Sequence, residues 1–166
     1  MKRPGTLLMI TFLASCLVLS GCGCEDGPTE TIQIKGQTFE LEVASDSASI
    51  ARWLGGRTEL ARDRGMIFVF PNNLVRRFWM KDCLIDIDIM FLDGMGRITT
   101  IHQMEIEPPR APGESMTDYE ARLPRYPSTM GAQYAIELGA GRIEELGLQR
   151  GDKIEIPHDC LKQRLR

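Results

Sequence analysis

Few side chains in this sequence could act as a nucleophile or a general base. The candidate nucleophiles are Ser128 and Cys83, and the two histidines of the chain are His102 and His158. Ser128 lacks the Gly-X-Ser-X-Gly elbow that exposes a catalytic serine. A cysteine nucleophile needs a lowered thiol pKa and a neighbouring base, and neither can be read from the residues around Cys83. We therefore predict no catalytic residues, and keep as the alternative a hydrolase using Ser128 or Cys83.

Cofactor binding has little support in the sequence. His102, Glu105 and Glu107 form a His-x-x-Glu-x-Glu pattern, which could ligate a metal, but a solvated hairpin end accounts for the same residues. The chain contains no Cys-x-x-Cys pair and no glycine-rich phosphate-binding loop. We expect neither a metal nor another cofactor.

Asp86 and Asp88 are two residues apart, which predicts that they share one face of a strand. Paired carboxylates could do acid–base chemistry, whereas a solvent-facing strand edge gives the same pattern. A buried Asp88 would need a partner such as Lys81, Arg57 or backbone N–H groups, because an unpaired buried carboxylate is costly. Its role would then be structural.

An aromatic residue next to a charge suggests a binding surface. Trp79 and Lys81 are predicted to lie on one face of a strand, with Phe78 and Met80 on the other. Such a surface could bind a sugar ring or a peptide, and the alternative is that the proline-rich loop 103–125 buries Trp79. The predicted ligand-binding side chains are Trp79, Lys81, Asp88, Tyr126 and Ser128.

The N-terminus has the features of an export signal. A basic start at Lys2 and Arg3 precedes an apolar run from Leu7 to Leu19, which is too short for a membrane span. The run ends in Leu-Ser-Gly-Cys, which resembles the lipobox of bacterial lipoproteins. We predict cleavage before Cys22 and attachment of lipid, including palmitate, to its thiol. The protein would then be membrane-anchored in the bacterial cell envelope, on the exported side, and the alternative is an ordinary secretory signal.

Composition is consistent with one exported domain. Removing residues 1–21 leaves 145 residues and removes two basic side chains, so the net charge changes from −3 to −5. This acidic, scattered balance argues against nucleic acid as a partner. The predicted organisation is a signal peptide at 1–21, a flexible tether at 22–31, one globular domain at 32–157 and a C-terminal tail at 158–166.

The cysteine count leaves the pairing open. Of five cysteines, Cys16 leaves with the signal and Cys22 carries lipid, so Cys24, Cys83 and Cys160 remain. Cys83 and Cys160 could form a disulfide in an oxidising compartment, and unpaired thiols are equally compatible with the sequence.

Apolar periodicity predicts the fold class. Residues 66–70 are apolar throughout, Pro71-Asn72-Asn73 predicts a break, and Ile85, Ile87 and Ile89 alternate with more polar residues as in a half-buried strand. Further predicted elements are strands at 76–81 and 153–156, and hairpins over 31–43 and 84–102. We predict an α+β fold with a mainly antiparallel, curled, barrel-like sheet and two or three short helices.

Several of these segments resemble one family. They are Gly-Met-Ile-Phe-Val-Phe-Pro from Gly65, Phe-Trp-Met-Lys from Phe78, Leu-Ile-x-x-Asp-Ile-x-Phe from Leu84, Tyr-Pro-Ser from Tyr126 and a closing Gly-Asp at Gly151. In this order they are similar to the domain-of-unknown-function 192 family from about Val43 to Ile156. Residues 52–57 resemble that family's Arg-Gly-Leu-Met-Gly-Arg segment.

This chain departs from the family at three central positions. Asp82 and Cys83 stand where the family usually has Asn-Thr, and Asp86 stands where it usually has Pro. The resemblance implies a fold and no established activity. We expect a non-enzymatic binding or accessory protein whose partner is a glycan or another envelope protein, and a purely structural domain remains a third interpretation.

Overall fold

The computed structural model describes residues 27–46, 49–50 and 54–165. The predictions for the signal peptide, Cys22 and Cys24 lie outside these residues. The described part of the chain begins with Gly27 and Pro28, and β1 follows at Thr29, inside the segment assigned to the tether. None of the helices in the described part is both long and apolar enough to span a bilayer.

Six strands form one sheet with the order β1-β2-β3-β6-β4-β5. Their bounds are β1 Thr29–Ile34, β2 Gln37–Ala44, β3 Arg64–Phe78, β4 Ile87–Leu92, β5 Ile98–Met104 and β6 Tyr126–Gly139. The β2–β3 pairing is parallel, and the other four pairings are antiparallel. The described helices are α1 Met116–Arg122, α2 Arg142–Glu145 and α3 His158–Gln163. These elements confirm the α+β class and the mainly antiparallel, curled sheet, which stays open with β1 and β5 at its edges.

The β3 strand differs from the sequence-based prediction, because Pro71-Asn72-Asn73 does not end it. The strand continues to Phe78 and stays paired with β6, and the register shifts between Val69 and Leu74. A bulge tolerates proline because the ladder needs no N–H donor there. The strand expected at 76–81 is therefore the end of β3, and residues 79–86 form turns and irregular structure.

The two faces of the sheet each bury a hydrophobic cluster. Ile87, Ile89 and Phe91 of β4 pack on one face, in the cluster that also contains Phe68 and Phe70. Met90 and Leu92 alternate with them and pack on the opposite face. The alternation therefore predicted correctly which residues face the Phe68 cluster, although Ile85 precedes the strand and is only partly buried. The half-buried strand is wrong, because every residue of β4 is buried.

The structure shows neither of the two alternatives that the sequence left open, a Cys83–Cys160 disulfide or unpaired thiols throughout. Cys83 is a buried free thiol, and Cys160 is disulfide-bonded. Cys83 lies in the cluster around Ile87 and Ile89, whereas Cys160 belongs to α3, whose Leu161 packs into the cluster on the other face. The sheet thus separates the two cysteines.

The C-terminal segment is more ordered than the predicted tail, because α3 occupies residues 158–163. Arg164 donates to the carbonyl oxygen of Gly27 at 2.7 Å and pairs with Glu30 at 2.8 Å, so the end of the chain is fixed against the start of β1. The strand expected at 153–156 is reduced to a single bridge between Lys153 and Arg97.

Candidate functional site

Trp79 lies directly after β3, half-buried and flanked by cations. The guanidinium carbon of Arg125 is 4.1 Å from the centroid of its ring, and Nζ of Lys81 is 5.6 Å away. Lys81 also pairs with Glu120 of α1 at 2.5 Å, and this hydrogen bond raises the pKa of the Lys81 ammonium. The structure therefore brings Trp79 and Lys81 together, under the loop that contains α1.

The proline-rich loop reaches this position through α1. Ser115 caps the helix by accepting a hydrogen bond from the Asp118 N–H. Tyr119 is buried, and its hydroxyl accepts a hydrogen bond from the N–H of Asp82 at 3.2 Å. Because Asp82 belongs to the turn after Trp79, this contact fixes the helix against the Trp79–Lys81 segment. The loop is thus a packed cover.

Ser128 has a backbone-supporting role. The N–H of Arg76 donates to its hydroxyl at 3.0 Å, and the hydroxyl donates to the carbonyl oxygen of Met130. These bonds fall where the β3–β6 register is irregular, between the Val75 and Arg77 pairings. The Ser128 hydroxyl therefore replaces ladder bonds that the bulge removes.

Tyr126 is close to the Trp79 segment, because its Cα pairs with that of Phe78 across β3 and β6. Its side chain is half-buried, and desolvation raises the pKa of its phenol. The ring of His102 packs against it at 5.6 Å between centroids, and His102 Nε2 lies 2.8 Å from the carbonyl oxygen of Pro127. His102 is thus half-buried and contributes to packing, which differs from the solvated hairpin end expected for it.

Asp88 is not brought to the other predicted ligand-binding residues. It is fully buried on the face of β4 that holds Met90 and Leu92, whereas the Trp79 segment packs through Phe78 and Met80 against the opposite face. Its Oδ2 accepts a hydrogen bond from the N–H of Ile143 at 2.9 Å. The partner of Asp88 is thus a backbone N–H group and not Lys81 or Arg57. The predicted solvent-facing position is correct only for Asp86, which is exposed.

The two candidate nucleophiles are poorly placed for catalysis. Burial raises the pKa of the Cys83 thiol to about 12, with smaller contributions from Glu137 and Asp82, so the thiol is protonated at neutral pH. The Ser128 hydroxyl is engaged with backbone groups. Within the described residues, no three His, Cys, Asp or Glu side chains are arranged to hold a metal ion.

Glu137 is a buried acid that the motifs in the sequence did not indicate. This side chain is 3% exposed, lies in β6 opposite Met66 and Ile89, and has no hydrogen-bond partner for Oε2 among the described residues. Desolvation raises the pKa of its carboxyl group to about 8, and Arg57 acts in the opposite direction. One signal could have identified it, since Glu137 is the one charged residue in the apolar run from Tyr134 to Leu138.

Arg57 is the positively charged residue that acts electrostatically on Glu137. Its guanidinium donates two hydrogen bonds of 2.7 Å to the carboxylate of Glu42, a bidentate geometry that is strong and directional. The pair lines a cavity of about 480 Å³, together with Glu59, Leu60 and Arg64. The negative charge of Glu42 offsets the positive charge of Arg57. Arg57 therefore lowers the pKa of Glu137 by less than desolvation raises it.

Comparison with known proteins gives one family for this arrangement. The family model DUF192, described as "Uncharacterized ACR", matches residues 30–156. The chain belongs to the DUF192 family. This confirms the resemblance inferred from the Phe-Trp-Met-Lys and Tyr-Pro-Ser segments. No curated protein matches the sequence.

Two solved structures share the fold of this DUF192 protein. One is a Novosphingobium aromaticivorans protein of unknown function, with a TM-score of 0.60 and 28% identity over 78% of this chain and 84% of that one. The other is a Sinorhizobium meliloti protein whose description suggests a transcription regulator, with a TM-score of 0.58 and 30% identity over 76% of this chain and 90% of that one. Neither similarity assigns a biochemical activity to the chain.

Proposed function

We propose that this DUF192 protein is a lipid-anchored domain of the bacterial cell envelope that binds a ligand and does not transform it. Support for the anchor comes from the Leu-Ser-Gly-Cys sequence that ends the apolar run at Cys22. The lipid is attached to Cys22 after removal of residues 1–21. Only six residues lie between Cys22 and the start of β1 at Thr29, so the domain stays within about 25 Å of the bilayer surface.

The observation that carries the binding function is the half-buried Trp79 ring with the cations of Arg125 and Lys81 close to it. Aromatic and charged groups on a rigid segment are suited to recognition, and Tyr119 fixes that segment through Asp82. The proposed ligand surface consists of Trp79, Lys81 and the adjoining Tyr126. It recognises a glycan or a segment of another envelope protein.

The alternative function, hydrolysis by Ser128 or Cys83, has weaker support. The Ser128 hydroxyl is hydrogen-bonded to backbone groups, and burial raises the pKa of the Cys83 thiol. Transcription regulation, suggested for the S. meliloti relative, is not carried over to this chain. Acidic residues outnumber basic ones by 23 to 20, which does not favour a phosphate backbone as partner.

The anchor is tested with Cys22→Ala in a bacterial host. The wild-type protein should incorporate labelled palmitate and sediment with membranes, and the variant should lose the label and accumulate as precursor or in the soluble envelope fraction. Cys83→Ala is the control, because Cys83 is a free thiol of the folded domain and its removal should leave the protein labelled and membrane-bound. A soluble wild-type protein with an unmodified N-terminus would refute the anchor.

The ligand surface is tested by fluorescence. A Trp53→Phe variant leaves Trp79 as the single tryptophan, and it should show a saturable change on titration with N-acetylglucosamine oligomers or with envelope peptides. Lys81→Met should weaken that binding, whereas Lys162→Met, a surface lysine on α3, should not. Equal titration curves for the two lysine variants would refute the proposal that this surface binds the ligand.

A further inference from the structure

An exposed apolar patch lies where β3 and β6 are irregularly paired. Leu74 and Val75 of β3 are 58% and 48% exposed, and Met130 of β6 is 51% exposed. The three are neighbours in the ladder, because Leu74 pairs with Ala132, and Val75 pairs with Gly131, the residue after Met130. Leu74, Val75 and Met130 are called the β3–β6 patch below. Large apolar side chains that are both adjacent and exposed indicate an interaction surface.

The β3–β6 patch does not contribute to the hydrophobic core. None of its three residues belongs to either buried cluster, whereas the earlier part of the same strand, from Met66 to Phe70, is buried throughout. The irregular pairing after Val69 carries β3 beyond the core. Keeping these side chains in water costs free energy, which a contact with an apolar partner would recover.

The patch lies at the end of the sheet at which the described chain begins. β2 ends at Ala44, which pairs with Phe68, and β3 and β6 continue past this level to the patch. Directly before β1, the carbonyl oxygen of Pro28 accepts a hydrogen bond from the N–H of Val43 at 2.9 Å. The start of β1, the end of β2 and the patch therefore share one end of the sheet.

The proposed anchor would bring this end of the sheet close to the bilayer. The carbonyl oxygen of Gly27 is held by Arg164 at 2.7 Å, and four residues lie between Cys22 and Gly27. An extended chain of this length spans at most about 18 Å. With lipid on Cys22, the end that bears the β3–β6 patch is therefore the end nearest to the membrane.

Two basic side chains border the patch. Arg77 of β3 is exposed and follows Val75 by two residues, and Arg150 is exposed and lies 3.8 Å from Sδ of Met130. The ion pairs among the described residues involve other arginines and lysines. Exposed apolar side chains beside basic groups match the bilayer interface, where acyl chains lie beneath phosphate headgroups.

We propose that the β3–β6 patch binds the phospholipid bilayer. Leu74, Val75 and Met130 enter the boundary between headgroups and acyl chains, and Arg77 and Arg150 bind lipid phosphates. Three side chains alone give a weak, reversible contact, so the patch acts together with the lipid as a second membrane signal. This inference rests on the proposed anchor and adds to it a fixed orientation of the domain on the membrane.

The test measures how deeply single positions of the lipidated, full-length protein enter the membrane. Leu74→Cys and Leu84→Cys are each labelled with a nitrobenzoxadiazole maleimide, and the wild type should take up little label because Cys83 is buried. Leu84 is the matched control, a leucine that is 53% exposed and precedes β4, whose first residue pairs with Gly139 at the other end of β6.

The labelled proteins are reconstituted in vesicles of phosphatidylethanolamine and phosphatidylglycerol, with and without a lipid that carries a nitroxide on its acyl chain. The nitroxide should quench the probe at position 74 by about half or more and leave the probe at position 84 nearly unchanged. Arg77→Gln/Arg150→Gln should reduce the quenching at position 74 about twofold. Arg62→Gln/Arg110→Gln changes the net charge equally and should not reduce it.

Three results would overturn the proposal. They are equal quenching at positions 74 and 84, no quenching at position 74 in a protein that carries palmitate, and a dimer in detergent that Leu74→Ser dissociates, which would assign the patch to a second copy. The second result leaves the anchor intact, whereas a wild-type protein without lipid refutes the anchor and this inference together. If Leu74→Cys does not fold, Met130→Cys replaces it, with the same expected quenching.

Discussion

Glu137→Gln should change the pH dependence of stability in a defined way. Glu137 is buried between Met66 and Ile89, and desolvation raises the pKa of its carboxyl group from 4.5 to about 8. In the folded state the group therefore holds its proton up to about pH 8, whereas in the unfolded state it releases the proton near pH 4.5. Between these values the unfolded state binds fewer protons, so the free energy of unfolding falls as the pH rises.

The size of this effect follows from the two pKa values. One pKa unit corresponds to about 1.4 kcal/mol, so the wild-type protein should lose roughly 4 kcal/mol of this contribution between pH 5 and pH 8. The contribution is fully present below pH 4.5 and is lost above the folded-state pKa. Glutamine has nearly the same shape and does not titrate. The Glu137→Gln variant should therefore become more stable than the wild type, by an amount that grows over this window.

Urea denaturation followed by tryptophan fluorescence at pH 5, 6, 7 and 8 measures the difference directly. Glu144→Gln is the matched control, because Glu144 is an exposed residue of α2, and its curve should run parallel to that of the wild type. A second variant, Glu42→Gln, releases Arg57 from its bidentate partner. The freed guanidinium should lower the pKa of Glu137 and flatten the pH dependence.

Parallel pH profiles for the wild type and Glu137→Gln would refute the reasoning. They would mean that Glu137 is either solvated or ionised in the folded protein. Carboxyl-carbon NMR of Glu137 would then locate its pKa near the ordinary value of 4.5. A midpoint near 8 would confirm the assignment without reference to stability.

Three further predictions concern the core and the candidate nucleophiles. Ile87→Ala should lower the free energy of unfolding by about 2–5 kcal/mol through lost burial and a cavity, and a silent variant in urea denaturation would contradict the observed register of β4. Ser128→Ala should cost about 1–3 kcal/mol, because the Arg76 N–H loses its acceptor. An unchanged midpoint would show that water replaces the hydroxyl. Near pH 8, Cys83 should react with a maleimide about a thousandfold more slowly than a thiol of pKa 9.0, because burial raises its pKa to about 12, and rapid labelling of Cys83 in the native protein, located by mass spectrometry, would disprove this.

Local patterns in the sequence predicted much of the sheet. The alternation of Ile87 and Ile89 with polar residues was sufficient to place them in the core, because side chains of a strand alternate between its faces. The turn residues before Arg97 predicted the β4–β5 hairpin. The continuation of β3 through Pro71 was not predictable in this way, since it depends on β6 pairing with the strand on both sides of the bulge.

Side-chain roles depended on contacts between distant parts of the chain. The Ser128 hydroxyl is bonded to Arg76, 52 residues away, and the Asp88 carboxylate to Ile143, 55 residues away. No local pattern in the sequence specifies such distant partners. Ser128 and Asp88 were therefore both predicted to bind a ligand, although the structure shows them bonded to backbone groups.

The sequence by itself thus determined the family, the fold class and the register of β4. The lipobox-like segment, on which the proposed anchor depends, stays a prediction. Only the tertiary structure decided which face receives Asp88, that Cys83 and Cys160 are not partners, and that Glu137 is buried with a raised pKa. The physical reason is that periodicity and turn chemistry act over a few residues, whereas burial and hydrogen-bond satisfaction depend on which distant segments the folded chain brings together.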